Sequence, residues 1–188
     1  MILEIVKYPN PILKQKSSPI EKVDRTIQKL VEDMFETMYA APGVGLAGPQ
    51  VGVLKQILVV DIDRRDGEKR RPDPQVLINP RVVSREGEIT WEEGCLSLPE
   101  LIVSVERSKK IVVEALDKEG KLRKYLGEDL LAVAFQHEMD HLNGILLVDH
   151  LSRLKRDLYR KKLEKLARGE KVPPEPEVER GKGPAYIG

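Results

Sequence analysis

The segment QHEMDH, Gln136 to His141, holds two histidines four residues apart with a glutamate beside the first. On a helix, positions i and i+4 share one face, so the imidazoles of His137 and His141 can reach one metal ion. Glu138 then stands beside the first ligand, where a carboxylate can draw a proton from a water that the metal acidifies. The chain has three histidines in all, and two of them fall at this spacing. Leu130, Leu131, Val133, Ala134, Phe135 and Leu142 around them are apolar. The segment therefore reads as a buried metal-binding helix and not as a solvated face with stray histidines. A catalytic site of this kind has three protein ligands and one open position. Spacing leaves the third ligand open. An H-E-x-x-H-x-x-G-x-x-H pattern fits through Gly144 but meets Leu147 at its last position. Glu164, His150 and the lone cysteine, Cys95 in Glu93-Gly94-Cys95-Leu96-Ser97, are the remaining candidates.

A second conspicuous stretch is GVGLAGPQVG, Gly43 to Gly52, whose first six residues satisfy G-x-G-x-x-G. A dinucleotide loop needs a strand running in and a helix running out. Here the order is inverted. Asp24 can cap a helix on which Ile27, Leu30, Val31, Met34, Phe35 and Met38 recur at helical spacing, and Pro42 with Gly43 end it. Downstream, Pro49 and Gly52 break any new helix, and Gln56 to Ile62 reads as a buried strand. The glycines must serve something other than a phosphate.

Strand-like runs follow at Ile57–Ile62, Val76–Val83, Leu101–Arg107, Ile111–Leu116 and Leu122–Leu126. Turn-rich or charged links separate them, Arg64 to Pro74 among them. The metal-binding helix should begin near Glu128 or Asp129 and run to about Leu142, with Gly144 as its stop signal. A further helix is expected over Leu151–Ala167. The order predicts an α+β fold, with mostly antiparallel sheets packed around a central metal-binding helix, an N-terminal helix and a C-terminal helix. We expect a catalytic unit over residues 1–150, a basic helix over 151–171 and a poorly ordered Pro- and Gly-rich tail over 172–188.

At 188 residues the chain is long enough to bury a core of its own, and a net charge of +1 excludes a wholly electrostatic nucleic-acid binder. No apolar run approaches membrane-spanning length. The start, MILEIVKYPNPIL, lacks the basic and apolar regions of a secretory leader, so a cytoplasmic location is expected. One cysteine excludes an internal disulfide. Residues 151–171 carry nine basic side chains against three acidic ones. Such a face is usually only solvated, but it also suits ribosomal RNA.

Three segments together, GVGLAGPQ (Gly43–Gln50), EGCLS (Glu93–Ser97) and QHEMDHLNG (Gln136–Gly144), resemble the peptide deformylase family in type, order and spacing. The resemblance runs from about Ile2 to Leu151. It implies that Cys95, His137 and His141 hold one divalent metal, Fe²⁺ physiologically with Zn²⁺, Ni²⁺ or Co²⁺ able to replace it, and water as fourth ligand. It implies Glu138 as general base and acid, with the Gln50 side-chain amide and the Leu96 N–H as donors to the oxyanion. It implies a substrate loop in which Gly45 leaves room beside the metal, and a methionine pocket lined by Val44, Leu130 and Val133. The reaction implied is removal of the formyl group from N-formylmethionyl nascent peptides. Gly48 departs from the family, which usually has alanine there, and is expected to loosen the loop slightly. Two other readings remain at this point. One is a zinc peptidase using His137, His141 and Glu164. The other is a non-catalytic, metal-stabilised domain that binds RNA through its basic helix.

Overall fold

The computed structural model describes residues 1–62, 64–66, 69–172 and 187–188. Among them are three α-helices: α1 (Arg25–Ala40), α2 (Leu130–Leu142) and α3 (Arg153–Ala167). The strands are β1 (Gly45–Ala47), β2 (Ile57–Asp61), β3 (Arg64–Asp66), β4 (Lys69–Arg71), β5 (Pro74–Glu86), β6 (Ile89–Cys95), β7 (Leu98–Arg107), β8 (Lys110–Leu116) and β9 (Leu122–Glu128). Five of them form one sheet in the order β1-β2-β5-β8-β9, and β3–β4 and β6–β7 are separate hairpins. Every pairing of these strands is antiparallel. This is the expected α+β architecture. The link expected over Arg64 to Pro74 carries the β3–β4 hairpin, and β6 occupies a stretch whose Trp91-Glu92-Glu93 gave no strand signal.

The large sheet lies between two helices, which explains why β2 is apolar at every other step on both faces. Side chains alternate across a strand. Ile57 and Val59 join α1 residues Val31, Met34 and Met38 in one buried cluster. Leu58 and Val60 join Leu77, Val113 and α2 residues Val133, Ala134 and Phe135 in another. At the start of α1, Asp24 accepts a hydrogen bond from the Ile27 N–H at 3.0 Å, satisfying one of the helix's free amides. Helix α2 begins one residue after Asp129 and stops at Gly144, where φ is +70° and a Cβ would lie 2.3 Å from the Lys14 carbonyl oxygen. Only glycine fits that left-handed, crowded position. Helix α2 is thus enclosed on almost every side, and ten of its thirteen residues are buried. Such a helix can hold polar side chains only if their partners are supplied inside.

Candidate active site

Helix α2 and the β6–β7 hairpin bring Cys95, His137 and His141 together. One donor atom from each lies within 4.8 Å of the others, and all three residues are buried. Cys95 Sγ is 3.4 Å from His141 Nε2. Of the three candidates for a third ligand, Cys95 is the one whose donor atom lies beside both imidazoles. Glu164 projects from the exposed part of α3, and His150 sits 3.8 Å from Asp140 instead.

The chemistry of this donor set fits a divalent cation. Burial, then the nearby His137, holds the His141 imidazole well below its ordinary range, keeping it neutral and able to ligate. Burial and the Glu138 carboxylate push the Cys95 thiol up, so a cation is the natural source of the charge that would ionise it. His137 Nε2 is buried without a hydrogen-bond partner, while its other ring nitrogen, Nδ1, is 2.8 Å from Glu93 Oε1. A carboxylate on the far nitrogen is the usual way a metal-binding imidazole is oriented.

Glu93 is the site residue that sequence reasoning missed. Fully buried in β6, it takes a forked pair of bonds from Arg107 of β7, Nε at 2.6 Å and Nη2 at 2.8 Å. Arg107 also reaches Asp140 of α2 at 2.9 Å. Burial disfavours the Glu93 charge, but the bonds from Arg107 and His137 outweigh it and hold the carboxyl below its usual range. Gln136 ties α2 to the β7–β8 turn, donating to Ser108 O at 2.9 Å and accepting from Ser108 N at 3.0 Å. The only sequence signals for this network were a glutamate next to Gly94 and an arginine ending a strand.

Glu138 is fully buried, and neither carboxylate oxygen has a hydrogen-bond partner. Burial raises its carboxyl well above the ordinary value, which suits a group that must take up and return a proton. Gly45 faces it. A Cβ on Gly45 would lie 2.5 Å from Glu138 Oε1, so the space this glycine leaves is filled first by the carboxylate. Gln50 is fully buried. Its Oε1 accepts from the Ala47 N–H at 2.9 Å, and its Nε2 lies 3.6 Å from Cys95 Sγ and 3.3 Å from Ser97 Oγ. That places an amide donor against the Cys95 thiol. The Leu96 N–H turns the same way and donates to the Gly188 carbonyl at 2.6 Å.

Of the candidate pocket residues, Val133 belongs to the core cluster that also contains Ile187, and partly buried Val44 and Leu130 pack against it. Residues 173–186 of the expected tail lie outside the described residues. Ile187 and Gly188 are buried in the groove between β1 and β6.

One expectation needs revision. Gly48 tightens the loop: a Cβ there would lie 2.7 Å from Val53 O and 2.9 Å from Lys55 O, so close backbone approach demands glycine. On α3, Leu154 and Leu158 are exposed, Leu163 packs against a core cluster, and the helix is anchored there by buried Tyr159. Its ring stacks on Tyr8 at 6.0 Å and its hydroxyl donates to Pro99 O at 2.8 Å.

A family model described as polypeptide deformylase matches residues 2–157. A peptide deformylase of Thermodesulfovibrio yellowstonii is 50% identical over 163 residues, covering 87% of this chain and 97% of that protein. One from Syntrophobacter fumaroxidans is 48% identical over 164 residues, 87% of this chain and 95% of that protein. Among solved structures, peptide deformylase from Ehrlichia chaffeensis superposes with a TM-score of 0.84 at 39% identity, covering 90% of this chain and 98% of that one. The Ehrlichia chaffeensis enzyme in complex with actinonin gives a TM-score of 0.83 at 41% identity, covering 89% of this chain and 98% of that one.

Proposed function

Because the chain belongs to the polypeptide deformylase family, we propose that it hydrolyses the formyl amide of N-formylmethionyl peptides, releasing formate and a free amino terminus. The observation that carries this reading is the buried Cys95–His137–His141 donor set with the unpartnered Glu138 carboxylate beside it. Those three residues would hold one divalent cation, Fe²⁺ in the cell, with Zn²⁺, Ni²⁺ or Co²⁺ as substitutes. Such a cation supplies Lewis acidity, polarising the formyl oxygen and acidifying water.

The remaining steps belong to the protein. Glu138 takes a proton from the attacking water as its oxygen bonds to the formyl carbon. When the C–N bond breaks, Glu138 returns that proton to the amine nitrogen, and formate leaves. The Leu96 N–H and the Gln50 amide donate to the oxygen that gains charge during attack. Glu93 fixes the His137 ring, and Arg107 fixes Glu93. The Val44 and Gly45 N–H groups of the β1 edge pair with an extended peptide, and Val44, Leu130 and Val133 line the pocket for the methionine side chain.

We assign catalysis to residues 1–150, with α3 and the residues up to 171 as an arm. Arg153, Lys155, Arg160, Lys161, Lys165, Arg168 and Lys171 of this arm are exposed, which suits contact with ribosomal RNA where nascent peptides emerge. No helix among the described residues is long and apolar enough to cross a membrane, in keeping with action in the cytoplasm. The test is formate release from formyl-Met-Ala-Ser by anaerobically purified protein of measured metal content. Metal-loaded protein that releases no formate would overturn the assignment.

A further inference from the structure

The described end of the tail occupies the catalytic groove as a strand would. The Ile187 carbonyl accepts from both Val44 N–H at 2.8 Å and Gly45 N–H at 2.7 Å. Its own N–H donates to Gly94 O on the opposite wall at 3.0 Å, and the Gly188 carbonyl accepts from the Leu96 N–H at 2.6 Å. Four main-chain bonds thus join two residues to both sides of the groove. Strand β1 is the outer strand of its sheet, so its free edge is open to such an addition. The Ile187 side chain is fully buried in the apolar cluster that also holds Val133. At Gly188 a Cβ would stand 1.8 Å from Glu138 Oε1 and 2.8 Å from Gly45 O, so no larger residue can take its place without displacing the carboxylate.

We propose that the Ile187–Gly188 segment is a built-in competitive ligand of the groove, and that a formylated peptide must displace it before reaction. The segment uses the same groups that the reaction needs: the Leu96 donor, the β1 edge, the apolar pocket and the space beside Glu138. An apolar residue followed by glycine is the pattern that fits, because the pocket takes a branched aliphatic side chain and the next position tolerates no side chain. Tethering raises the local concentration of the segment to the millimolar range expected for a linked ligand, without further contacts. The proposal rests on reading this groove as the deformylase site.

The test compares the full chain with a chain ending after Val172 and with Gly188→Ala, all zinc-loaded. If the tail is bound in at least about two thirds of molecules, releasing it lowers KM for formyl-Met-Ala-Ser about threefold or more and leaves kcat unchanged. A synthetic peptide of residues 173–188, added to the shortened chain, should restore the higher KM competitively. Hydrogen exchange at the Val44, Gly45 and Leu96 amides supplies a readout independent of turnover. These amides should be protected in the full chain and exchange faster in both variants. Equal KM in all three proteins, or equal amide exchange, overturns the proposal. Protection that differs between chains, none of which releases formate, would sink the deformylase reading and leave the tail contact standing.

Discussion

Glu93→Gln is the substitution that most directly probes how the site is held. In the native protein one carboxylate accepts three donors: Arg107 Nε, Arg107 Nη2 and His137 Nδ1. A glutamine of the same shape has one acceptor oxygen, and its amide group must face at least one of those donors. The Arg107 side chain is 6% exposed and would keep only Asp140 as an anionic partner. Breaking a buried ion pair by removing one member costs about 3–5 kcal/mol, and the surviving Asp140 contact points to the lower end. For a domain of this size about 3 kcal/mol lowers the melting temperature by roughly 6–12 °C. Scanning calorimetry on metal-free protein isolates this loss from any change in metal binding. Loss of the partner that orients a metal-binding imidazole should separately weaken metal affinity by about 10- to 100-fold, read by competition with a chelator. A melting temperature that falls by less than about 2 °C would refute the reasoning for stability, since it corresponds to no more than about 1 kcal/mol. Unchanged chelator competition would show that Glu93 does not position His137.

Glu138→Gln should keep its metal, because the carboxylate is not among the donor set, yet lose about 10²-fold or more in kcat through loss of the general base. Near-normal turnover with metal bound would remove Glu138 from that role. Gly48→Ala forces a methyl group against two backbone carbonyls. It should destabilise by about 1–3 kcal/mol, measured by urea unfolding, and an unchanged midpoint would contradict the tight packing described. Charge reversal of the exposed Lys155, Lys161 and Lys165 to glutamate should abolish salt-sensitive co-sedimentation with ribosomes and spare hydrolysis of short peptides. Equal co-sedimentation would reduce the basic face to a solvated surface.

What could be read ahead of the structure was the part written in local spacing. His137 and His141 announce themselves because a helix turns an i, i+4 pair into neighbours, and α1 because its apolar residues recur with its cap at Asp24. Strand β2 was legible because both of its faces are buried. That Cys95 lies beside the two histidines was not legible from spacing, since a hairpin distant in sequence delivers it. It came from the resemblance. Glu93, Arg107 and Asp140 were missed for a related reason: their pairing crosses three elements, and a charged residue in a strand ordinarily signals solvent. Ile187 was missed because one isoleucine among prolines, glycines and charges has no periodicity. The leucines of α3 divide: Leu163 packs on the cluster that holds Tyr159, while Leu154 and Leu158 stay exposed.

The turn that joins β6 to β7 shifts register between Gly94 and Cys95, so that Cys95 pairs with Leu98 and Leu96 stands at the tip. A thiol and an inward-facing N–H are thereby supplied by consecutive residues. The Cys95 Cα and the Leu96 N–H are held apart by a single peptide unit, whose geometry is nearly invariant. At fixed backbone, only rotation of the thiol about the Cys95 Cα–Cβ bond alters its distance from that N–H, and burial of Cys95 restricts this rotation. In genetic terms, the donor at position 96 is not encoded by its leucine at all. Nineteen of the twenty residues carry that N–H, and proline alone lacks it. Mutation at this codon can therefore reshape the groove wall while the donor is inherited intact, whereas every amino-acid change at the neighbouring Cys95 codon removes the thiol.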